Sequence, residues 1–251
     1  MACGETAGMK GRKIQDYRPR LDARKIWTFQ VELLRWFRQN GRDLPWRRTR
    51  DPYRILVSEV MLQQTQVERV REYYARFLKE YPTVRDLAAA RPARVRESWD
   101  GLGYYARARN LHAAARRIVR SHGGIFPSQV EDLQTLPGVG RYTAGAVASF
   151  AYGEAAPILD TNVRRLLSRI FVRRRPARPA EVERRLWALA EAVIPDGEAW
   201  TMNQALMDFG ATVCTARKPK CSICSLQWLC AFYERRHSAD DNNTRPGERM
   251  R

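Results

Sequence analysis

No run in this sequence reaches the roughly 18 apolar residues that a membrane span needs. The opening stretch MACGETAGMKGRKIQDYRPRLDARK is polar and lacks the apolar core of a secretory signal. Both absences make an intracellular chain the expectation, and structural disulfides are rare in that compartment. Strand signals are almost missing too. No turn-bounded segment of alternating polarity appears, and neither a repeat nor a long linker interrupts the chain. Acidic residues are in deficit: 27 Asp and Glu face 45 Lys and Arg, a net charge of +18 with a pI near 10.4. Such an excess favours a polyanionic partner, nucleic acid before membrane. Cysteine is absent from the body of the chain. Cys3 stands alone near the start, with no assigned role, and the other four of the five fall within CTARKPKCSICSLQWLC.

Those four are Cys214, Cys221, Cys224 and Cys230, spaced C-x6-C-x2-C-x5-C. Clustered thiols in a reducing compartment point to metal. Zinc sites usually pair two close knuckles across a longer spacer, and here only Cys221 and Cys224 form a knuckle. The layout is closer to an iron–sulfur loop. Arg217, Lys218 and Lys220 give that loop positive charge that suits phosphate.

With 251 residues, 44% of them hydrophobic, a packed interior is expected. Residues 1–22 read as flexible. Ile26, Phe29, Leu33, Leu34 and Phe37 recur at helical spacing and Gly41 closes that helix. A loop containing two prolines follows, then a helical pattern from Ile55 that runs to Pro82. Further helices are predicted near 84–90, 92–100, 105–121, 129–135, 142–152, 161–171, 180–193 and 201–210. The tail RRHSADDNNTRPGERMR reads as disordered. The fold class is all-α with short connections.

Two carboxylates lie in contrasting settings. Around Glu59 the residues Ile55, Leu56, Val57, Val60, Met61 and Leu62 make the helix apolar nearly all round, so it is buried. Ser58, Glu59 and Gln63 form its one polar strip, and a desolvated Glu there has a raised pKa. Asp160, in APILDTNVRRLLSRIF, precedes a helical run as an N-cap, where the dipole favours its charge. Glycosidic-bond cleavage uses such a pair. Between them, LQTLPGVGRYTAG sets a glycine turn between two helices, with Gly138 and Gly140 supplying positive φ and the next helix offering bare N–H groups to a phosphate.

The hairpin, the Asp beyond it and the cysteine loop together resemble the endonuclease III, or helix-hairpin-helix, superfamily of DNA glycosylases. LPWRRTRDPYRILVSEVMLQQTQV, GLGYYARARNLHAAA and MNQALMDFGATVCTARKPKCSICSLQWLC resemble its adenine DNA glycosylase (MutY) family, over about Trp27 to Cys230. The resemblance implies a [4Fe–4S] cluster on the four cysteines, base flipping, and excision of adenine opposite 8-oxoguanine or guanine in duplex DNA. It makes Glu59 the general acid toward adenine N7 and later the activator of water. Asp160 becomes the stabiliser of the oxocarbenium-like sugar, and Asn162 an orienting group. Tyr142 falls where lyase relatives carry a Lys nucleophile, which implies hydrolysis without a Schiff base. Gln64 and Tyr104 match residues that wedge into the duplex. Gln63 and the hairpin residues Leu136, Gly138, Val139 and Gly140 match its DNA contacts. Arg42, Leu44, Trp46, Arg47 and Gln204 match the lining of the base pocket.

Further expectations follow from the resemblance. The fold has two lobes, one over 50–156 with the hairpin, the other joining 23–49 to 157–233 and the cluster, with 234–251 as tail. Thr161 stands where the adenine family usually has Gly, as in lyase-type relatives. Full-length relatives continue into a C-terminal domain that reads 8-oxoguanine, and its absence here makes a modest preference for that base the expectation. A thymine or uracil mismatch glycosylase is the alternative, and a non-catalytic DNA-binding iron–sulfur protein the other. A monomer in the cytoplasm, associated with the nucleoid of a prokaryotic-type cell, is the expected state.

Overall fold

A computed structural model describes residues 22–173 and 178–242. Among the described residues there is no strand. The helices are α1 (Ala23–Asn40), α2 (Pro52–Leu62), α3 (Val67–Glu80), α4 (Val84–Ala89), α5 (Pro92–Glu97) and α6 (Ala106–His122). After them come α7 (Val130–Gln134), α8 (Arg141–Tyr152), α9 (Thr161–Phe171), α10 (Pro179–Ala192), α11 (Ala199–Thr212) and α12 (Ala231–Asn242). The all-α reading holds. Cys3 and the expected flexible start lie outside the described residues, apart from Asp22, which caps α1 by accepting from the Lys25 amide.

The packing sorts the helices into two groups. Helix α2 lies against α3, α6 and α8, with α4 and α5 on α6 and α7 on α8. Helix α1 packs on α11, and α9 meets α10, α11 and α12. The α8–α11 contact joins the two groups. Glycine sets one of the closest approaches. A Cβ on Gly145 of α8 would sit 2.6 Å from the Pro157 carbonyl oxygen, so any side chain there pushes α8 off the strand of chain leading to Asp160.

Two expectations are corrected. The helix predicted from Ile55 to Pro82 is broken: α2 ends at Leu62 and α3 begins at Val67. Gln64 between them has φ 57°, in the left-handed region that a helix cannot include. The break costs the sequence pattern nothing, because apolar spacing continues on both sides. The tail was expected to be disordered from 234 to 251, yet α12 runs to Asn242, and 243–251 lie outside the described residues. Arg235 donates to the carbonyls of Val172 and Arg173 at 2.9 and 2.7 Å, and Phe232 lies under the Arg169 guanidinium, docking this polar helix on α9.

Candidate active site

Helix α2 carries Glu59 inward. Asp51 caps its start by accepting from the Tyr53 amide at 2.8 Å, with Pro52 at its first position. Every residue from Ile55 to Met61 is buried, and Glu59 is 4% exposed. Ser58 turns its hydroxyl back to the Ile55 carbonyl, so Glu59 is left as the strip's acid. Its partner comes from α8: the Tyr142 hydroxyl donates to Glu59 Oε2 at 2.9 Å and also lies 3.4 Å from Met207 Sδ on α11. Burial pushes the Glu59 carboxyl up to about 7. The Tyr142 hydrogen bond opposes that rise, the Asp160 charge adds to it and Arg47 opposes it. Burial and the two nearby carboxylates hold Tyr142 neutral, well above a free phenol.

Asp160 caps α9 as the sequence predicts. Its Oδ1 accepts from the Val163 amide at 2.7 Å and its Oδ2 from the Asn162 side-chain amide at 2.9 Å. Asn162 is fixed in turn by Arg165, which donates to Asn162 Oδ1 at 2.8 Å. Arg165 also reaches the Gly210 and Cys214 carbonyls, at 2.6 and 2.8 Å. One helix face thus ties Asp160 to the start of the cysteine loop.

That loop is built around a cavity. Cys214, Cys221, Cys224 and Cys230 line it together with Leu166, Ile170 and Phe209. Arg169 holds the loop by donating to the carbonyls of Thr215 and Ala216 at 2.7 and 3.0 Å, and lies 3.3 Å from Cys214 Sγ. Burial pushes the Cys224 thiol up to about 11 and raises Cys230; backbone amides of Leu226, and of Phe232 and Tyr233, work against each rise. Four thiols around one apolar cavity, with backbone amides directed at Cys224 and Cys230, fit an iron–sulfur cluster. Arg217, Lys218 and Lys220 are exposed on the same loop.

The remaining sequence-named residues fall in three places. Gln64 and Tyr104 are exposed, Tyr104 at 62%, and each has a left-handed backbone, φ 57° and 50°. Gln63 sits beside them at the end of α2, with its amide 3.5 Å from Thr143 Oγ1. In the hairpin Gly138 has φ +76°, as expected, but Gly140 has φ −87° in an extended conformation open to any residue. Gly140 instead begins α8, whose first amides receive no side-chain cap. Leu136 and Val139 are core side chains at 2% and 6% exposure, so they offer DNA only backbone. Leu44, Trp46 and Gln204 are buried as well, with Trp46 edge-on to Tyr74.

Arg42 and Arg47 converge on a residue the sequence reading missed. Asp208 is fully buried on α11 and accepts from Arg42 through its amide at 2.9 Å and its guanidinium at 2.9 and 2.6 Å. Arg47 adds two bonds of 2.8 Å each. Burial alone raises the Asp208 carboxyl, but these two arginines outweigh it and hold it below its usual range. On α11, Gln204, Met207 and Asp208 stand at i, i+3 and i+4, and of these Met207 meets the Tyr142 hydroxyl while Asp208 holds the two arginines. Helical spacing alone could have shown that shared face. Its two partners, more than 160 positions away, could not be read.

Comparison with known proteins sets this geometry in a family. The model of the HhH-GPD superfamily base excision DNA repair protein matches residues 57–192, and that of the iron–sulfur binding domain of endonuclease III matches 214–230. The chain is 48% identical to the adenine DNA glycosylase of Mycolicibacterium smegmatis over 207 residues, 81% of this chain and 70% of the relative. The chain belongs to the adenine DNA glycosylase family of this superfamily. The Homo sapiens adenine DNA glycosylase is 44% identical over 223 residues, 85% of this chain but 41% of the relative. The chain thus spans under half the length of its mammalian relatives. Among solved structures, that of a thermostable thymine-DNA glycosylase superposes with a TM-score of 0.77 at 34% identity, over 84% of this chain and 98% of that one. A trapped endonuclease III–DNA covalent intermediate superposes at 0.74 with 26% identity, over 86% of this chain and 99% of that one. A [4Fe–4S] cluster is the cofactor of the matched segment.

Proposed function

We propose that the chain is a monofunctional glycosylase of base excision repair that removes adenine mispaired with 8-oxoguanine or guanine. One observation carries the chemistry: a buried Glu59, raised to about 7 and bonded to Tyr142, beside an Asp160 whose two oxygens both accept N–H donors. At neutral pH Glu59 still holds a proton. It gives that proton to N7 of the flipped adenine, and the C1′–N9 bond breaks with its electron pair leaving on the base. Asp160 sits where positive charge develops on the sugar. Glu59, now a carboxylate, takes a proton from the water that adds to C1′. Asn162 holds Asp160 in place, and Tyr142, unable to form a Schiff base, leaves the DNA backbone uncut.

Gln64 and Tyr104 are the wedges in this reading, and Gln63 with the bare amides after Gly138 and Gly140 meets the DNA backbone. Arg42, Leu44, Trp46, Arg47 and Gln204 form the wall against which the base is read, braced by Asp208. Cys214, Cys221, Cys224 and Cys230 hold the cluster, which when bound closes the loop that presents Arg217, Lys218 and Lys220. The lobe boundaries at 50–156 and at 23–49 with 157–233, a monomeric state and a cytoplasmic, nucleoid-associated location complete the proposal. No helix among the described residues is long and apolar enough to cross a membrane.

A second reading, thymine or uracil removal from T:G and U:G pairs, is favoured by one finding: the solved thymine-DNA glycosylase superposes on this chain with a TM-score of 0.77 at 34% identity. Single-turnover excision on A:8-oxoguanine, A:G, T:G and U:G duplexes separates the two. Release of adenine alone supports the first reading, and faster release of thymine or uracil replaces it with the second.

A further inference from the structure

Among the described residues only two other than glycine adopt a left-handed backbone, Gln64 and Tyr104. They lie on different turns, one after α2 and one before α6, and one side chain reaches both. Arg107, in the first turn of α6, is 8% exposed. Its Nη1 donates to the carbonyls of Val60 at 3.2 Å, Met61 at 2.7 Å and Gln63. Its Nη2 donates to the carbonyls of Leu102 and Gly103 at 3.1 Å each. Gln63 and Gly103 immediately precede the two left-handed residues. The guanidinium also lies 5.5 Å from the Tyr104 ring centroid and 5.6 Å from that of Trp99.

All five bonds go to backbone carbonyls, and Arg107 Nε has no partner. A buried charge satisfied by the main chain of two separate turns does not serve a local ion pair. The carbonyls at the end of α2 carry the negative end of its dipole and suit a cation. Left-handed conformations at Gln and Tyr are strained and persist only where the surroundings over-determine them. Arg107 supplies that constraint at both. A lysine, with its single point of charge, cannot span the two turns as a planar fork does.

We propose that Arg107 is the positioning residue of the wedge: one guanidinium sets the spacing and direction in which Gln64 and Tyr104 enter the duplex. This rests on the reading of those two residues as wedges. Arg107 touches neither base nor sugar in this scheme, and acts on specificity through the turns it fastens.

The test compares wild type, Arg107→Lys, the double variant Gln64→Ala/Tyr104→Ala, and the triple variant. Binding is measured on a mismatch duplex carrying 2′-fluoro-adenosine, which resists hydrolysis, and on the matched duplex. Arg107→Lys is expected to lower the mismatch-over-matched binding ratio about tenfold or more, with matched binding unchanged. It should speed amide exchange in both 63–65 and 103–105, leave the pH midpoint of excision in place, and add nothing in the triple variant. A ratio within about twofold of wild type, while the double variant loses it, overturns the proposal. So does a loss that adds fully to that of the double variant. If the double variant itself keeps the ratio, the wedge reading fails and this inference with it. Should Arg107→Lys not fold, wild-type exchange decides: both turns must be protected before DNA is added, and free exchange at either contradicts the assignment.

Discussion

Glu59 is costly to bury and useful because of that cost. Its carboxyl titrates near 7 in the folded chain against about 4.5 when exposed. The folded state therefore binds this proton more tightly than the unfolded one. The stability it contributes is full below about pH 4.5 and is lost as pH rises through about 7. Glu59→Gln removes that loss. We expect the variant to be more stable than wild type at pH 8 by on the order of 2–3 kcal/mol, with little difference at pH 4.5. Denaturant titrations at both values check this, and a variant less stable than wild type at pH 8 contradicts the burial account. Asp160 calls for a different substitution. Asn caps a helix about as well as Asp, so Asp160→Asn keeps the fold of α9 while removing the charge. Excision should fall on the order of a thousandfold, with mismatch binding nearly intact. Single-turnover assays with turnover near wild type would remove Asp160 from the chemistry.

At the scale of elements, α9 is the part on which the site and the cluster loop both depend. Arg165 joins Asn162 to the Gly210 and Cys214 carbonyls, and α11 approaches closely enough that a Cβ on Gly210 would lie 2.8 Å from the Asn162 carbonyl oxygen. The α8 helix is seated by Gly145 in the same way. Gly145→Ala must displace a backbone carbonyl, a change expected to cost about 1–3 kcal/mol by overpacking. Thermal melts that show no loss would mean that α8 can move freely. Glu59 and Asp160 were legible in the sequence because their settings are local: an apolar helix around one, a helix start after the other. Arg107, Arg165 and Asp208 were not, since each acts on groups far along the chain and looks locally like one more charge on a helix. The break at Gln64 was hidden for the same reason. Apolar spacing carries on across it, and what holds the turn is an arginine 44 positions from Gln63. Gly140 erred the other way, where a glycine-rich motif suggested a conformation that only Gly138 adopts.

Over the whole molecule the charge of +18 sets how DNA is held. Binding should be steeply salt-dependent, falling by about 10³ or more between 50 and 200 mM salt if six or more phosphates are neutralised. Filter-binding titrations that change less than about tenfold over that range would show that the excess charge faces away from DNA. The four-thiol cavity predicts a brown protein with broad absorption near ~400 nm and about four irons per chain. Stoichiometric zinc without colour would contradict the assignment of a cluster to these four thiols. The central claim is that one buried carboxyl keeps a proton at neutral pH and delivers it to the base. The pH dependence of single-turnover adenine release from an A:8-oxoguanine duplex tests it most directly. The account predicts a rate that falls as pH rises through about 7, and a Glu59→Gln variant without measurable release at any pH. A rate that stays flat well above that midpoint, or a variant that still releases adenine, would show that the proton comes from elsewhere.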